Sequence, residues 1–306
     1  MIVPKNNGWL ATLFQVRGST ITRTWRRLLL ATVVATVVTL LHERYLEDSD
    51  ILEIDMTPFS VSGLALGIFL GFRNNTSYDR FWEGRKLWGR VVNASRSLTR
   101  QVLTLAKPAG HAFHREMVHH LVAYVHALRI HLRGLGDYSE LEPLLPKDEF
   151  EQLKKESNPP IALLQRMGER FTDAWHEGHV HDMHLPVLEA SLTELAGVQG
   201  GCERIRATPI PFSYNVLLHR IVGIYCMTLP FGLVAKTGYV TPFVVALVSY
   251  AFFGLDAVGD EIEDPFGTDA NDLPLDAITR MIEVNIRERV GDELPPLLEP
   301  VKGVLT

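Results

Sequence analysis

The sequence has little of what small secreted scaffolds and nucleic-acid-binding proteins depend on. It contains only two cysteines among 306 residues, and two thiols cannot build a disulfide framework. It also lacks a basic excess, because 30 Lys and Arg face 36 Asp and Glu and the formal net charge is −6. Nucleic-acid binders present a basic surface to phosphates, so we expect no nucleic acid among the partners.

The chain also lacks the short motifs of the common enzyme classes. It contains no Walker-type phosphate loop, no G-x-S-x-G turn, no H-E-x-x-H zinc helix and no dinucleotide fingerprint. We therefore predict that the protein is not an enzyme and that it requires no cofactor.

What the sequence does contain is apolar runs. Four stretches hold no Asp, Glu, Lys, Arg or His, and they are residues 28–41, 58–72, 221–235 and 237–255. A helix needs about 20 residues to cross a hydrocarbon core of roughly 30 Å. Only the fourth run, with 19 residues, comes close to that length. Each run taken alone therefore also fits a buried helix of a soluble protein.

The charges that flank these runs favour membrane spans. Residues 1–27 carry five basic side chains and no acid, and residues 42–57 carry six acids against the single base Arg44. Seven Lys or Arg side chains then follow within residues 73–100. Because cytoplasmic flanks are enriched in Lys and Arg, the alternation predicts a multi-pass protein of the inner (plasma) membrane. Both termini would be cytoplasmic and the acidic loop 42–57 would lie outside.

The predicted fold is an all-α membrane protein with four transmembrane helices and a large helical cytoplasmic region. Apolar residues keep helical spacing beyond the second run, with no Gly-Pro interruption, so we expect one long helix that leaves the membrane and continues. A short amphipathic helix is expected around residues 275–287. The predicted segments are cytoplasmic 1–27, the first two spans 28–72, cytoplasmic 73–206, the last two spans 207–255 and cytoplasmic 256–306.

The second apolar run carries two stripes at intervals of four residues. One stripe is Gly63, Gly67 and Gly71, and such a glycine ridge lets another helix approach closely in lipid. The other stripe is Leu64, Ile68 and Phe72. Two interpretations are open at this point. The apolar stripe faces lipid, or the helix is repeated around an axis and the stripe forms rings around a narrow pore.

Three segments of the chain carry longer motifs. Residues 72–89 read FRNNTSYDRFWEGRKLWG, residues 201–205 read GCERI, and residues 261–274 read EIEDPFGTDANDLP. In this order they resemble the signature of the bacterial bestrophin family of ion channels. The resemblance implies a homopentamer around one axial pore, with an apolar neck and a second narrow point near the cytoplasmic exit.

The resemblance also assigns residues to the pore. By position, the neck would be Leu64, Ile68 and Phe72, with Leu64 where a branched Ile or Val is expected. The second narrow point would fall between residues 180 and 188, and its candidates are Val180, His181, His184, Leu185 and Val187.

The function implied is the passive flux of small monovalent ions, with the chain's own copies, the bilayer and the ions as partners. Chloride is placed first because eukaryotic relatives are anion channels. The outer loop 42–57, with six acids and one base, contributes −5 per subunit. Since a cleft of one sign concentrates ions of the opposite sign, a cation-selective channel of the same fold stays open as an alternative.

Two histidine clusters and one acidic loop raise the question of zinc or calcium. The histidines crowd residues 111–120 and 176–184, but they lack a zinc-type spacing, so a solvated His-rich face is the favoured interpretation. A membrane-anchored metal-binding or sensor protein is the alternative from a different class. The residues Asp264, Asp269, Asn271 and Asp272 offer oxygen ligands as calcium loops do. A helix-capping turn that ties subunits together is the structural alternative for this loop.

Overall fold

The structure, a computed structural model, describes residues 1–2, 8, 15–16, 18–45 and 55–306. Within these residues the regular secondary structure is helical, with two isolated β-bridges, which confirms the predicted all-α class. The helices are α1 (Ile21–Tyr45), α2 (Thr57–Leu105), α3 (Gly110–Arg133), α4 (Lys147–Leu153), α5 (Pro159–His176), α6 (Leu185–Ala207), α7 (Phe212–Thr237), α8 (Thr241–Glu263) and α9 (Leu275–Arg287).

The chain folds into two compact units. The apolar unit comprises Lys5–Phe81 and Pro209–Asp264, and the polar unit comprises Met1–Pro4, Trp82–Thr208 and Pro265–Thr306. Helix α2 has 49 residues without interruption, as the continuous helical spacing predicted. Its first part belongs to the apolar unit and its second part to the polar unit.

The apolar unit contains α1, the first part of α2, α7 and α8. By length and composition, Ile21–Tyr45 and Phe212–Glu263 are apolar enough to cross a membrane, and the second of these stretches comprises both α7 and α8. The run 58–72 at the start of α2 is not among them, so its membrane crossing stays a prediction. The acidic loop expected outside the membrane includes residues 46–54, which lie outside the described part of the chain.

Helix α1 packs with small side chains inside and large ones outside. Ala31 and Ala35 are fully buried, whereas Leu29, Val33 and Val37 are about half exposed. A helix in water would bury its largest apolar side chains, because their burial is most favourable there. Helices in lipid instead meet through small residues and leave large apolar side chains outward. The packing of α1 is therefore that of a membrane helix.

The polar unit is built around α3, which packs against α5 and α9. The short helix α4, which begins at Lys147 and has seven residues, was not predicted from the sequence. Helix α5 begins after Asn158, whose side-chain oxygen accepts a hydrogen bond from the Ile161 N–H at 3.4 Å. Such a cap satisfies one of the free N–H groups at a helix start. Helix α9 has the bounds expected from its amphipathic pattern.

Candidate pore face and the ionic cluster beside it

The predicted neck residues share one exposed face of α2. In the single chain, Leu64, Ile68 and Phe72 are 70%, 50% and 61% exposed, whereas Leu66 and Leu70 on the opposite face are buried in the core of the apolar unit. A spacing of four residues keeps the three side chains on one face, because it nearly completes a helical turn. These large apolar groups therefore take no part in the core of their own chain.

The three glycines of α2 do not share one environment. A Cβ atom on Gly63 would lie 2.5 Å from the Tyr225 hydroxyl oxygen of α7, so a side chain at residue 63 would require Tyr225 to move. Cβ atoms on Gly67 and Gly71 would meet no atom within 4 Å in the described residues. Of these three glycines, only Gly63 lies against another helix among the described residues. A packing role for the other two glycines needs another molecule and stays a prediction.

Arg73, the residue after Phe72, holds a buried ionic cluster that sequence analysis did not find. Its Nη1 donates to Oδ1 and to the backbone oxygen of Asp256 at 3.0 and 3.1 Å, and its Nη2 contacts Asp260. Its Nε donates to Asn215 Oδ1 at 3.1 Å. The side chains of Arg73 and Asp256 are 0% and 1% exposed. Such a pair is stable only while each charge keeps its partner, since both have lost their water.

Two further groups complete this cluster. His219 Nδ1 lies 2.7 Å from Asp256 Oδ2, and Arg27 Nη1 lies 3.4 Å from the same oxygen. In the described part of the chain, His219, Asp256 and Asp260 are the only three metal-type ligands found grouped, with their ligand atoms within 4.8 Å of one another. Arg73 already supplies a positive charge to both carboxylates. The arrangement is therefore an ion-pair network rather than an open metal site.

Gly259 of α8 leaves room for the side chains of Asn74 and Arg73 of α2. A Cβ atom on Gly259 would lie 2.4 Å from Asn74 Oδ1 and 3.3 Å from Arg73 Nη1, so a larger residue would displace the Asn74 side chain and disturb the position of Arg73. One signal for the cluster was present in the sequence. Arg73 ends one apolar run, and two acids, Asp256 and Asp260, end another. Charges at the edges of membrane helices usually pair with one another.

The segment expected to hold the second narrow point is the turn between α5 and α6. Val180 is 2% exposed, so it presents no surface that could line a passage. His184 Nδ1 lies 3.3 Å from the backbone oxygen of Leu105, and His181 Nδ1 accepts a hydrogen bond from the backbone N–H of Met183. Both histidine rings therefore make hydrogen-bonding contacts with the backbone.

Apolar surface in this turn comes from a residue that was not among the candidates. Met183 is 74% exposed, compared with 41% for Val187, while Leu185 is only partly exposed. Met183 is thus the most exposed apolar side chain between α5 and the start of α6.

The histidines of residues 111–120 do not converge on one point. His114 Nε2 lies 3.0 Å from the backbone oxygen of Ala106, and His120 Nε2 lies 2.9 Å from Glu149 Oε1. Both rings are buried. The solvated His-rich face or loop expected here therefore does not describe His114 and His120, which α3 turns into the polar unit, whereas His111 is exposed.

Within residues 176–184 only His181 and His184 lie against each other among the described residues, with ring centroids 5.6 Å apart. The His176 ring lies 4.5 Å from the Trp175 ring, and His179 Nδ1 lies 3.2 Å from Glu177 Oε2. These contacts are local and do not assemble a common ligand set.

His126 in α3 joins two glutamates. Its Nδ1 and Nε2 each lie 3.2 Å from a carboxylate oxygen, of Glu140 and Glu283 respectively. Burial disfavours the charged ring, but the hydrogen bonds and charges of the two glutamates outweigh it and raise the pKa of His126. Burial likewise opposes the ionisation of Glu140, yet hydrogen bonds from His126 and Arg129 lower the pKa of Glu140 to about 2.

We expect the replacement His126→Gln to remove part of the pH dependence of stability. The contribution of His126 is complete below its ordinary pKa of 6.5 and is lost as the pH rises through its raised value. The contribution of Glu140 is complete above its ordinary pKa of 4.5 and is lost as the pH falls towards about 2. The wild-type melting temperature in detergent should therefore fall above about pH 6.5, and His126→Gln should flatten that fall.

The matched control is His131→Gln, which changes a less buried histidine of the same helix. The control should keep the wild-type slope. Parallel wild-type and His126→Gln curves above the ordinary histidine pKa would show that His126 is not the titrating group.

The loop considered for calcium is closed by its own hydrogen bonds. Asp272 is buried, its Oδ2 accepts from the Asp269 N–H at 2.7 Å, and its own N–H donates to the Asp269 oxygen at 3.1 Å. The Leu273 N–H donates to the Pro265 oxygen at 3.0 Å just before α9 begins. The candidate ligand Asp264 belongs to the apolar unit, whereas Asp269 and Asp272 belong to the polar unit. The bonds of Asp269 and Asp272 fit the capping-turn alternative.

Known proteins resemble this chain over nearly its whole length. Residues 1–288 match the family described as "Bacterial/Fungal Bestrophin protein". A protein of Ralstonia nicotianae, named as a voltage-dependent anion channel-forming protein, is 41% identical over 293 residues, which are 95% of each chain. A protein of Escherichia coli K12 with the same kind of name is 38% identical over 301 residues, or 98% of each chain.

Solved structures give the same result. The crystal structure of a bacterial bestrophin homologue from Klebsiella pneumoniae superimposes with a TM-score of 0.82 at 40% identity, and it covers 87% of this chain and 98% of the other. The chain belongs to the bacterial bestrophin family, as its three sequence motifs predicted.

Proposed function

We propose that this protein is a membrane channel that lets small monovalent anions cross passively. The observation that carries the proposal is the face of Leu64, Ile68 and Phe72, which are all at least half exposed on a helix whose opposite face is buried. The relatives from Ralstonia and Escherichia are named as anion channel-forming proteins. Membership of this family makes the protein a channel and not an enzyme, as the missing catalytic motifs predicted.

The channel we propose is a homopentamer with one axial pore. Five copies of α2 would bring Leu64, Ile68 and Phe72 into three stacked apolar rings, which form the neck. The turn between α5 and α6 would form the second narrow point. The exposure of Met183 supports this, because Met183 is the most exposed apolar side chain of that turn. Replacing Met183 by alanine should raise the flux of a large anion such as iodide relative to chloride. An unchanged ratio would remove Met183 from the pore.

Assembly is tested most directly at Gly67. A Cβ atom there meets no atom of the described residues within 4 Å, so Gly67→Leu should leave the subunit folded and reduce the mass of the detergent-solubilised oligomer in light scattering. Ala would be a milder change and serves as the graded control. A Gly67→Leu protein of wild-type mass would contradict a packing role for this face between copies.

The proposed topology places both termini in the cytoplasm of the cell and residues 42–57 outside the plasma membrane. Its support is the alternation of basic and acidic flanks. A cysteine introduced at Asp50 should react with an impermeant maleimide in sealed cells. A reaction that occurs only after permeabilisation would contradict the topology.

The sign of the permeant ion is tested by the reversal potential of the purified protein in a planar bilayer with a potassium chloride gradient. The anion proposal expects a potential close to the chloride equilibrium value. A potential close to the potassium value would favour the cation-selective alternative, which the −5 charge of the outer loop supports. Absence of any ion flux from liposomes would favour a membrane-anchored sensor instead.

A further inference from the structure

Most arginines of the polar unit lie against a carboxylate. Examples are the pairs Arg90–Glu194, Arg115–Asp292, Arg133–Asp276 and Arg170–Glu116, with nitrogen–oxygen distances of 2.6–2.8 Å. Arg96 and Arg100 are on the same helix as Arg90, but neither has a carboxylate within 4.0 Å among the residues that the structure describes. These two positive charges are therefore not neutralised within their unit.

The two arginines line one cavity together with a third. Arg96 and Arg100 of α2 and Arg289, which follows α9, surround an open cavity of about 390 Å³. Leu103 and Ile286 supply apolar surface to it, and no acidic residue is among those that line it. Arg96 is held in place because its Nη2 donates to Asn285 Oδ1 at 2.8 Å.

The three charges repel one another in this arrangement. Arg96 and Arg100 are four residues apart on a helix, where like charges destabilise the helix. Arg289 has one acidic neighbour, Glu288 at 3.4 Å, but both side chains are more than half exposed, and an ion pair in water contributes little. An anion bound between the guanidinium groups would remove the repulsion.

The side chains and the volume of the cavity indicate which class of anion it would bind. Guanidinium groups present forked N–H donors that match the oxygens of a phosphate group. The apolar side chains beside them suit a small hydrocarbon group. A volume near the lower end of ordinary ligand pockets accommodates a single ring rather than a pair of lipid chains.

We propose that this cavity binds a small soluble phosphate monoester with an apolar group. The phosphate lies between Arg96, Arg100 and Arg289, and the apolar group rests on Leu103 and Ile286. This site does not depend on ion conduction, so it stands or falls separately from the channel function.

The test uses the full-length protein in detergent and phenyl phosphate as the probe, with binding measured by isothermal titration calorimetry. Phenyl phosphate should bind more tightly than inorganic phosphate, and benzyl alcohol, which has the ring without the charge, should not bind. The affinity should fall as salt is added, because salt screens exposed charges. Arg100→Gln should weaken binding by about tenfold or more, since it removes one charge-assisted contact.

The matched control is Arg90→Gln, which removes the same charge from the same helix outside the cavity. It should bind phenyl phosphate as the wild type does. Arg100 is exposed and is repelled by Arg96, so its variant should melt no lower than the wild type. Equal binding by wild type and Arg100→Gln, or equal losses in both variants, would overturn the proposal. So would a smaller oligomer mass for Arg100→Gln, because the arginines would then pair with acids of another copy.

Discussion

Replacing Ile68 by alanine is expected to raise the single-channel conductance several-fold. Ile68 is the middle of three apolar side chains on the exposed face of α2, and rings of such side chains raise the barrier for a hydrated ion. A barrier lowered by about 1 kcal/mol multiplies a rate by about five. Leu64→Ala and Phe72→Ala should act in the same direction. The measurement is single-channel recording of the purified variants in planar bilayers.

The matched control for this prediction is Val33→Ala. Val33 is as exposed as Ile68, with 50% of each side chain accessible, but it lies on α1, which we expect to face lipid. Its replacement should leave the conductance unchanged. If Ile68→Ala conducts like the wild type, or if both variants conduct equally more, the assignment of the neck to this face of α2 is wrong.

Replacing Asp256 by alanine is expected to remove most of the yield of folded protein. The change leaves Arg73 buried without its main partner, and such a loss typically costs about 3–5 kcal/mol. That is a large share of the roughly 5–15 kcal/mol by which a protein is usually stable. The yield of monodisperse protein after detergent extraction, measured by size-exclusion chromatography, should fall sharply, and any remaining protein should melt at a lower temperature.

Two comparisons isolate the ionic cluster as the cause. Asp260→Ala should cost less, because the side chain of Asp260 is 36% exposed and water replaces part of what is lost. The double variant Arg73→Met with Asp256→Leu should recover part of the yield, since replacing both charges leaves neither Arg73 nor Asp256 unpaired. If Asp256→Ala is as well behaved as Asp260→Ala, the cluster does not hold α2 against α8.

The helices could be predicted because their signals are local. The amphipathic pattern gave α9 its bounds, and the unbroken spacing after residue 72 gave the long helix α2. Helix α4 was missed because it has only seven residues, which is too short for a periodic pattern to develop. The exposed stripe of the predicted neck could be recognised in the sequence for the same reason, because its three residues lie within one stretch of nine.

The parts of the site that were missed depend on contacts between distant segments. Arg73 and Asp256 are 183 residues apart in the chain, and nothing in either local pattern says which charge meets which. The turn between α5 and α6 is a second case. Val180 and Met183 are both apolar and three residues apart, and only the folded unit decides that one is buried and the other exposed.

The packing of α1 has a consequence for how this sequence can change over time. In a soluble helix, drift is freest at outward positions occupied by polar residues and is slowest at large apolar ones. In α1, as a membrane helix, the large outward residues such as Leu29 and Val33 need only remain apolar. Leucine, isoleucine, valine and phenylalanine are therefore interchangeable there. The inward alanines, Ala31 and Ala35, have no accessible surface, and even one added methyl group has no room. The smallest side chains of this helix are thus the ones least free to vary.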